Sequence, residues 1–237
     1  MKKIAIIIAG GSGKRMGQDI PKQFINVGDK PIIIYTLEAF QKHPSIDGII
    51  VVCIDGWHEI LRSYAKQFNI TKLVSIVSGG ACGQESIKKG LDEAKKLYSN
   101  EDIVLIHDAI RPMVSDEVIS DNIAKCEIYG NATSVVPVTT VVLQKDHEEY
   151  SNNVVDRDNL YLTQTPQAFV LKDILSAHEE AKKKGITNSV ASCSLYIELG
   201  RKVYYSIGNE TNIKLTRPGD IQIFKALLSC NKSDWMK

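Results

Sequence analysis

The chain has 237 residues, a formal net charge of +1 at pH 7, and hydrophobic and charged fractions of 43% and 24%, values ordinary for a globular protein. Such balanced charge creates no general field that would recruit nucleic acid or an anionic membrane surface, so we expect neither as a partner. The first long apolar run, Ile4–Ala9, is far shorter than the roughly 20 residues that span a bilayer, and no cleavage site follows it. We therefore expect a cytoplasmic protein.

Short apolar runs alternate with amphipathic stretches through the first half of the chain. The pattern predicts strands at Lys3–Ile8, Gly48–Ile54, Lys72–Val77, Ile103–His107 and Ala132–Val136, and helices at Pro31–Gln41, Trp57–Phe68, Glu85–Tyr98 and Asp116–Tyr129. Strands that are apolar on both faces and alternate with helices are typical of a parallel sheet covered on both sides. We predict an α/β fold: a Rossmann-like, mostly parallel sheet with helices on both faces.

The segment 138–163 interrupts this alternation. Two β-branched stretches flank a polar turn there, which predicts a hairpin. It is either a surface hairpin or a protruding β-arm that reaches a second subunit. The remaining elements are predicted helices at Leu171–Lys184, Ser192–Leu199 and Gly219–Ser229, and a strand at Lys202–Ile207. Nothing in the composition marks a boundary, so we expect one domain over residues 1–237.

Three polar loops begin where predicted parallel strands end, at Ala9, Gly79 and Asp108, and should converge on one edge of the sheet. The first carries three glycines and is followed by Lys14, Arg15 and Lys22. Glycines allow backbone N–H groups to approach phosphate oxygens, and the cations suit a triphosphate. No G-K-[ST] closes the loop as in a Walker A motif, and Met16 stands where a dinucleotide fingerprint that begins at Gly11 would need its last glycine. A structural turn with solvated basic residues is the alternative.

Four motifs in order carry a resemblance to a known family. They are residues 9–17 (AGGSGKRMG) with 21–24 (PKQF), 107–112 (HDAIRP), 163–169 (TQTPQAF), and 212–216 (NIKLT) with Asp220. The chain resembles the sugar-phosphate cytidylyltransferases, the group that contains 2-C-methyl-D-erythritol 4-phosphate and ribitol-5-phosphate cytidylyltransferases. The residues after the second predicted strand, Asp55-Gly56-Trp57, are more similar to the ribitol-phosphate branch.

The resemblance implies an enzyme that joins CTP to a polyol phosphate, D-ribitol 5-phosphate being the expected acceptor, and releases pyrophosphate. The implied catalytic residues are Arg15, Lys22 and Lys214. The residues implied to line CTP are Ala9, Gly10, Gly11, Gly13, Gly79, Gly80, Ser86 and Asp108, with Asp108 also beside Mg²⁺. Those implied for the acceptor are Arg111, Thr139, Thr140, Arg157, Thr165 and Lys214. The resemblance also implies a homodimer in which the arm of one subunit completes the acceptor site of the other.

Two positions depart from the pattern of this family. Gly83 stands where an arginine is usual, and Val190-Ala191 where a Thr-Asp pair is usual. Two other functions therefore stay open: a 2-C-methyl-D-erythritol 4-phosphate cytidylyltransferase, and a non-catalytic nucleotide-binding regulatory subunit. His107 ends an apolar strand, and we interpret it as an oriented structural histidine rather than a catalytic base.

Overall fold

The structure is a computed structural model that describes residues 1–11 and 20–230. Its strands are β1 (Lys3–Ala9), β2 (Asn26–Val27), β3 (Lys30–Pro31), β4 (Gly48–Cys53), β5 (Leu73–Ser78), β6 (Ile103–Asp108), β7 (Asn131–Pro137), β8 (Val142–Gln144), β9 (Asn153–Val155), β10 (Tyr161–Val170) and β11 (Tyr205–Ile207). Its helices are α1 (Ile32–Lys42), α2 (His58–Gln67), α3 (Gly83–Leu97), α4 (Asp116–Tyr129), α5 (Leu171–Lys183), α6 (Ser192–Glu198) and α7 (Pro218–Ser229). Within these residues no helix is both long enough and apolar enough to cross a membrane.

Seven strands form the central sheet, in the order β11-β7-β10-β6-β1-β4-β5. Strand β10 is antiparallel to both of its neighbours, β6 and β7, and every other pair in this sheet is parallel. Helices cover both faces. The predicted α/β fold with a mostly parallel sheet is confirmed.

The core explains why the central strands are apolar at nearly every position. Successive side chains of a strand point to opposite faces of a sheet. Along β1, Ala5 and Ile7 pack in a buried cluster with residues of α1, α2 and α4. Ile4 and Ile6 pack in a second cluster with residues of α3, α5 and α6. Because helices cover both faces of the sheet, both sets of side chains are buried. A polar side chain there would lose its hydrogen bonds to water unless it found a partner in the protein.

The segment 138–163 is only partly as predicted. Strands β8 and β9 pair as a separate two-stranded hairpin, as the sequence indicates. Tyr161–Thr163, however, belong to β10 and pair with β7 in the central sheet, so the two-stranded hairpin is shorter than the segment 138–163. The arm toward a second subunit stays a prediction. The sequence did not predict β10 because its first three residues are exposed and Gln164 and Pro166 interrupt any apolar pattern. The strand predicted at Lys202–Ile207 is also shorter, at Tyr205–Ile207.

Candidate active site

The carboxyl ends of β1, β4, β5 and β6 lie side by side. Ile8 is paired with Asp108 at the end of β6. One residue further, Ala9 is paired with Cys53, and Cys53 with Ser78. The loops that follow β1, β5 and β6 therefore leave the same edge of the sheet, as the sequence predicts.

A cleft of about 510 Å³ opens between these loops. Eight of the predicted residues line it, namely Ala9, Gly10, Gly11, Lys22, Gly80, Ser86, Asp108 and Lys214. Gly13 and Arg15, predicted for the same loop, lie outside the described residues. The cleft combines a glycine-rich backbone with two lysines, which is the environment that a polyphosphate needs.

The two glycine loops approach each other too closely for side chains. A Cβ atom on Gly79 would lie 3.3 Å from the Cα of Gly10. A Cβ on Gly80 would lie 2.4 Å from the Cβ of Glu85 and 2.9 Å from its carbonyl carbon, which no folded backbone tolerates without moving. Gly83 differs, because its Cβ would meet nothing within 4 Å. Glycine is therefore required at position 80 by packing and is not required at position 83.

Ser86 holds the second glycine loop from the first turn of α3. Its hydroxyl donates to the carbonyl of Cys82 at 2.9 Å and accepts the N–H of Gly80 at 3.0 Å. The side chain of Glu85 accepts the N–H of Ala81 at 2.8 Å. Both backbone N–H groups are thus fixed in place, and the N-terminus of α3 faces the cleft, where it favours an anion.

Gln23 anchors the first glycine loop, a role that the sequence does not predict. It is buried in the short 3-10 helix Lys22–Phe24, and its amide nitrogen donates to the carbonyls of Ala9 at 2.7 Å and Gly11 at 3.0 Å. The side chain of Gln23 therefore anchors the first glycine loop to the 3-10 helix, in which the adjacent Lys22 lines the cleft. The motif PKQF contained this residue, but a lone glutamine has no chemical signal that would distinguish it from a surface residue.

Asp108 is the charged centre of the site. Its carboxylate lies 3.0 Å from Nζ of Lys214 and 3.2 Å from Nε of Arg111. Burial raises the pKa of Asp108, but the positive charges of Lys214 and Arg111 outweigh burial, and the pKa is lowered. Asp108 is therefore ionised at neutral pH. Arg111 also donates to the carbonyl of Asn212 at 2.7 Å, which fixes the loop that contains Asn212 next to the site.

A second cleft, of about 330 Å³, adjoins the first on the other side of Asp108. The two clefts share Ile8, Gly83, Asp108 and Lys214. The second is also lined by Arg111 and Thr165, both predicted for the acceptor, and by Val190 and Ala191. The two departures from the family pattern, at position 83 and at positions 190–191, thus meet in one cleft.

The remaining acceptor residues are elsewhere in the described chain. Thr139, Thr140 and Arg157 are exposed and line neither cleft. Arg157 donates to the carbonyl of Thr139 at 2.7 Å, so the structure brings these two together beside the hairpin. Their role toward an acceptor stays a prediction.

The described side chains of the two clefts could bind a divalent cation only together with the phosphates of a substrate. Among residues 1–11 and 20–230 no group of three histidine, cysteine or acidic side chains could hold a metal by itself. Mg²⁺ is commonly bound by one or two carboxylates together with the phosphates of a substrate. The single ionised carboxylate of Asp108 fits that second arrangement.

Comparison with known proteins identifies the family. The family model "IspD: 2-C-methyl-D-erythritol 4-phosphate cytidylyltransferase" matches residues 3–230. The chain belongs to the IspD family. A ribitol-5-phosphate cytidylyltransferase of Lacticaseibacillus paracasei is 42% identical over 94% of this chain and 97% of that protein. A 2-C-methyl-D-erythritol 4-phosphate cytidylyltransferase of Clostridium botulinum is 37% identical over 96% and 97%.

A solved structure agrees with this family. The 4-diphosphocytidyl-2C-methyl-D-erythritol synthase of Anaerococcus prevotii superposes with a TM-score of 0.82 at 27% identity, over 97% of this chain and 96% of that one. This IspD protein is therefore a CTP-dependent nucleotidyltransferase, a cytidylyltransferase, as the four motifs indicate. A non-catalytic regulatory subunit, which Gly83 alone suggested, is not supported.

Proposed function

We propose that this cytidylyltransferase uses D-ribitol 5-phosphate as its acceptor and makes CDP-ribitol and pyrophosphate. The higher identity to ribitol-5-phosphate cytidylyltransferases, 42% against 37% for the methylerythritol phosphate enzymes, supports the choice. The structural observation that supports a reaction between two substrates is the pair of adjoining clefts with Asp108 and Lys214 between them. One cleft has the glycine loops that suit CTP, and the other has Arg111 and Lys214 in its lining, which suit a phosphorylated acceptor.

The reaction needs no protein base. The nucleophile is an oxygen of a phosphate monoester, which is already anionic at neutral pH. It attacks the α-phosphorus of CTP; a new P–O bond forms, the bond to the β-phosphate oxygen breaks, and pyrophosphate leaves with the electron pair. Catalysis then consists of holding two polyanions in line and neutralising the developing charge. Lys22 and Lys214 line the nucleotide cleft and would do this, and Arg15 is proposed to join them.

Mg²⁺ is proposed to bind at Asp108. There it would offset the charge of the triphosphate and of the leaving pyrophosphate. Lys214 and Arg111 hold the carboxylate between the clefts, at 3.0 Å and 3.2 Å. Their positive charges also lower the pKa of this carboxyl and keep it ionised.

A homodimer is proposed to complete the acceptor site. The hairpin and the start of β10 expose large apolar side chains, with 70% of Val141, 60% of Leu143, 70% of Val154 and 58% of Leu162 accessible. Such exposure is unusual for a monomer and is typical of an interface. Arg157, Thr139 and Thr140 lie beside these side chains and would reach the acceptor cleft of the partner subunit.

The acceptor is tested by measuring pyrophosphate release with CTP, Mg²⁺ and one acceptor at a time. Ribitol 5-phosphate should give steady turnover, and methylerythritol phosphate should give much less. Turnover with methylerythritol phosphate alone would assign the chain to the other branch. Binding of CTP without pyrophosphate release from any polyol phosphate would contradict the proposed reaction itself.

A further inference from the structure

Residues 186–191 connect α5 to α6 and contribute to the second cleft. Val190 and Ala191, at the end of this connecting segment, lie in the lining of the cleft. Residues 186–189 belong to no helix or strand, so no regular pattern of backbone hydrogen bonds holds them. The position of Val190 and Ala191 therefore depends on the hydrogen bonds that the segment makes to neighbouring elements.

The side chain of Gln84 makes two of these hydrogen bonds. Its amide nitrogen donates to the carbonyl of Ile186 at 2.9 Å, and its amide oxygen accepts the N–H of Ser189 at 2.8 Å. A carbonyl can only accept and an N–H can only donate, so both partners require the same orientation of the amide. Gln84 and Ser189 are both buried, which makes these bonds costly to lose.

The start of α3 also supplies the other hydrogen bond described for this main chain. The thiol of Cys82 lies 3.5 Å from the carbonyl of Thr187. Among residues 1–11 and 20–230, every hydrogen bond to the main chain from Thr187 to Ser189 comes from Cys82 or Gln84. The hydrogen bonds of the connecting segment between these two positions thus lead to one place, the first turn of α3.

That turn of α3 also belongs to the nucleotide cleft. Gly83, directly before Gln84, lines both clefts, and Ser86 holds the N–H of Gly80 in the second glycine loop. Gln84 itself does not belong to the lining of either cleft. It can therefore act on a substrate only through the residues that it holds.

We propose that Gln84 is a positioning residue of the transfer reaction. It fixes the connecting segment to the start of α3 and so sets the part of the second cleft that Val190 and Ala191 form. This inference rests on the proposed function, because it takes the second cleft to be the site of the acceptor.

Loss of the amide should weaken acceptor binding and leave nucleotide binding almost intact. The carbonyl of Ile186 and the N–H of Ser189 lose their partners, and the connecting segment must move until water reaches them. The two glycine loops keep their own anchors, since Ser86 holds one and Gln23 holds the other. The effect of a substitution at Gln84 is therefore expected on the acceptor side of the reaction.

The kinetic test uses Gln84→Met, an apolar side chain of similar length that forms neither hydrogen bond. KM for ribitol 5-phosphate should rise about tenfold, while kcat changes less than about threefold and Kd for CTP less than about twofold. Gln84→Leu also removes both bonds and should show the same pattern. An unchanged KM, or a Kd for CTP that rises as much as KM, would overturn the proposal.

Gln41→Met is the matched control for this test. The amide of Gln41 also makes two hydrogen bonds, to the hydroxyl of Thr71 and the N–H of Lys72, at the opposite edge of the sheet. The control should leave kcat, KM and Kd for CTP unchanged. An equal rise of KM in Gln41→Met and Gln84→Met would reflect a general loss of stability and would contradict a positioning role.

The hydrogen bond to Ser189 can be measured without any acceptor. Hydrogen exchange followed by NMR should show the Ser189 amide exchanging at least about tenfold faster in Gln84→Met, with exchange of the Gly80 amide unchanged. Equal exchange of the Ser189 amide in variant and wild type would overturn the inference, and so would equally faster exchange of both amides. If the wild-type protein does not turn over ribitol 5-phosphate, the proposed acceptor fails, and KM is measured with the polyol phosphate that does react.

Discussion

Lys214 and Asp108 form an ion pair at 3.0 Å across 106 residues of sequence. The pair joins β6 to the segment that precedes α7, and both residues line both clefts. It therefore lies where the two substrates would meet. We expect an ion pair so placed to set the charge between the two polyanions as well as to stabilise the fold.

Removal of the lysine should affect turnover most. Lys214→Ala should lower kcat by about 100-fold, because a cation that neutralises transition-state charge is worth a few kcal/mol in a site of low dielectric. The Kd for CTP should rise less. The measurement is pyrophosphate release together with calorimetric titration of CTP. Lys172→Ala is the matched control, since Lys172 forms an exposed ion pair with Glu101 remote from both clefts, and it should leave both quantities unchanged.

The second glycine loop should tolerate a methyl group at one glycine and not at another. Gly80→Ala places a Cβ 2.4 Å from that of Glu85, so the loop must move, and KM for CTP should rise about tenfold, the cost of roughly 1–3 kcal/mol typical of overpacking. Gly83→Ala meets nothing within 4 Å and should change KM by less than about twofold. Steady-state kinetics on both variants checks this. An equal effect of the two substitutions would show that the loop is not held as described.

Gln23 should matter for nucleotide binding, because it lines the nucleotide cleft and anchors the first glycine loop. Gln23→Ala removes its two hydrogen bonds to the carbonyls of Ala9 and Gly11, and Kd for CTP should rise about tenfold, since the first glycine loop loses both of these anchors. The control is Gln41→Ala, whose amide contacts Thr71 and Lys72 at the opposite edge of the sheet. Calorimetric titration measures both. An unchanged Kd for Gln23→Ala would mean that the loop does not depend on this anchor.

Stability should fall as the solution is acidified below neutrality. Burial lowers the pKa of both His107 and His178 from 6.5 to about 4. Between these values the unfolded chain binds more protons than the folded chain, so the free energy of unfolding decreases with falling pH by up to about 1.4 kcal/mol per pH unit for each histidine. His178→Leu should reduce the slope of unfolding free energy against pH by the contribution of one histidine. Urea unfolding at several pH values measures this slope. A slope unchanged by this substitution would contradict the depressed pKa of His178.

Subunit mixing tests the composite site. Asp108→Asn and Arg157→Ala should each be nearly inactive. If Arg157 serves the site of the partner subunit, mixed dimers contain one intact site, and exchange should restore about a quarter of wild-type activity. Lys145→Ala, an exposed change in the turn of the hairpin, should remain active alone. Verified mixed dimers without recovered activity would show that Arg157 does not act across an interface.

Much of the fold, and the type of ligand that the first cleft would bind, could be predicted from the sequence. The apolar strands and glycine loops are local patterns, and parallel strands bring their carboxyl ends together by geometry. The sequence missed β10, because its side chains alternate neither in polarity nor in burial, and its place in the sheet depends on pairing with β6 and β7.

Two features of the site depend on contacts that no local pattern reveals. Gln23 is a polar residue whose importance comes from two carbonyls about a dozen residues away. Gly83 and Val190-Ala191 are separate departures in sequence, and only the fold brings them into one cleft.

The central claim, cytidylyl transfer to ribitol 5-phosphate, is tested most directly by comparing kcat/KM for ribitol 5-phosphate and for methylerythritol phosphate under identical CTP and Mg²⁺, with the products identified by ³¹P NMR. We expect CDP-ribitol and one equivalent of pyrophosphate, with ribitol 5-phosphate preferred by at least about 100-fold. A preference for methylerythritol phosphate, or no diphosphate product from ribitol 5-phosphate, would contradict it.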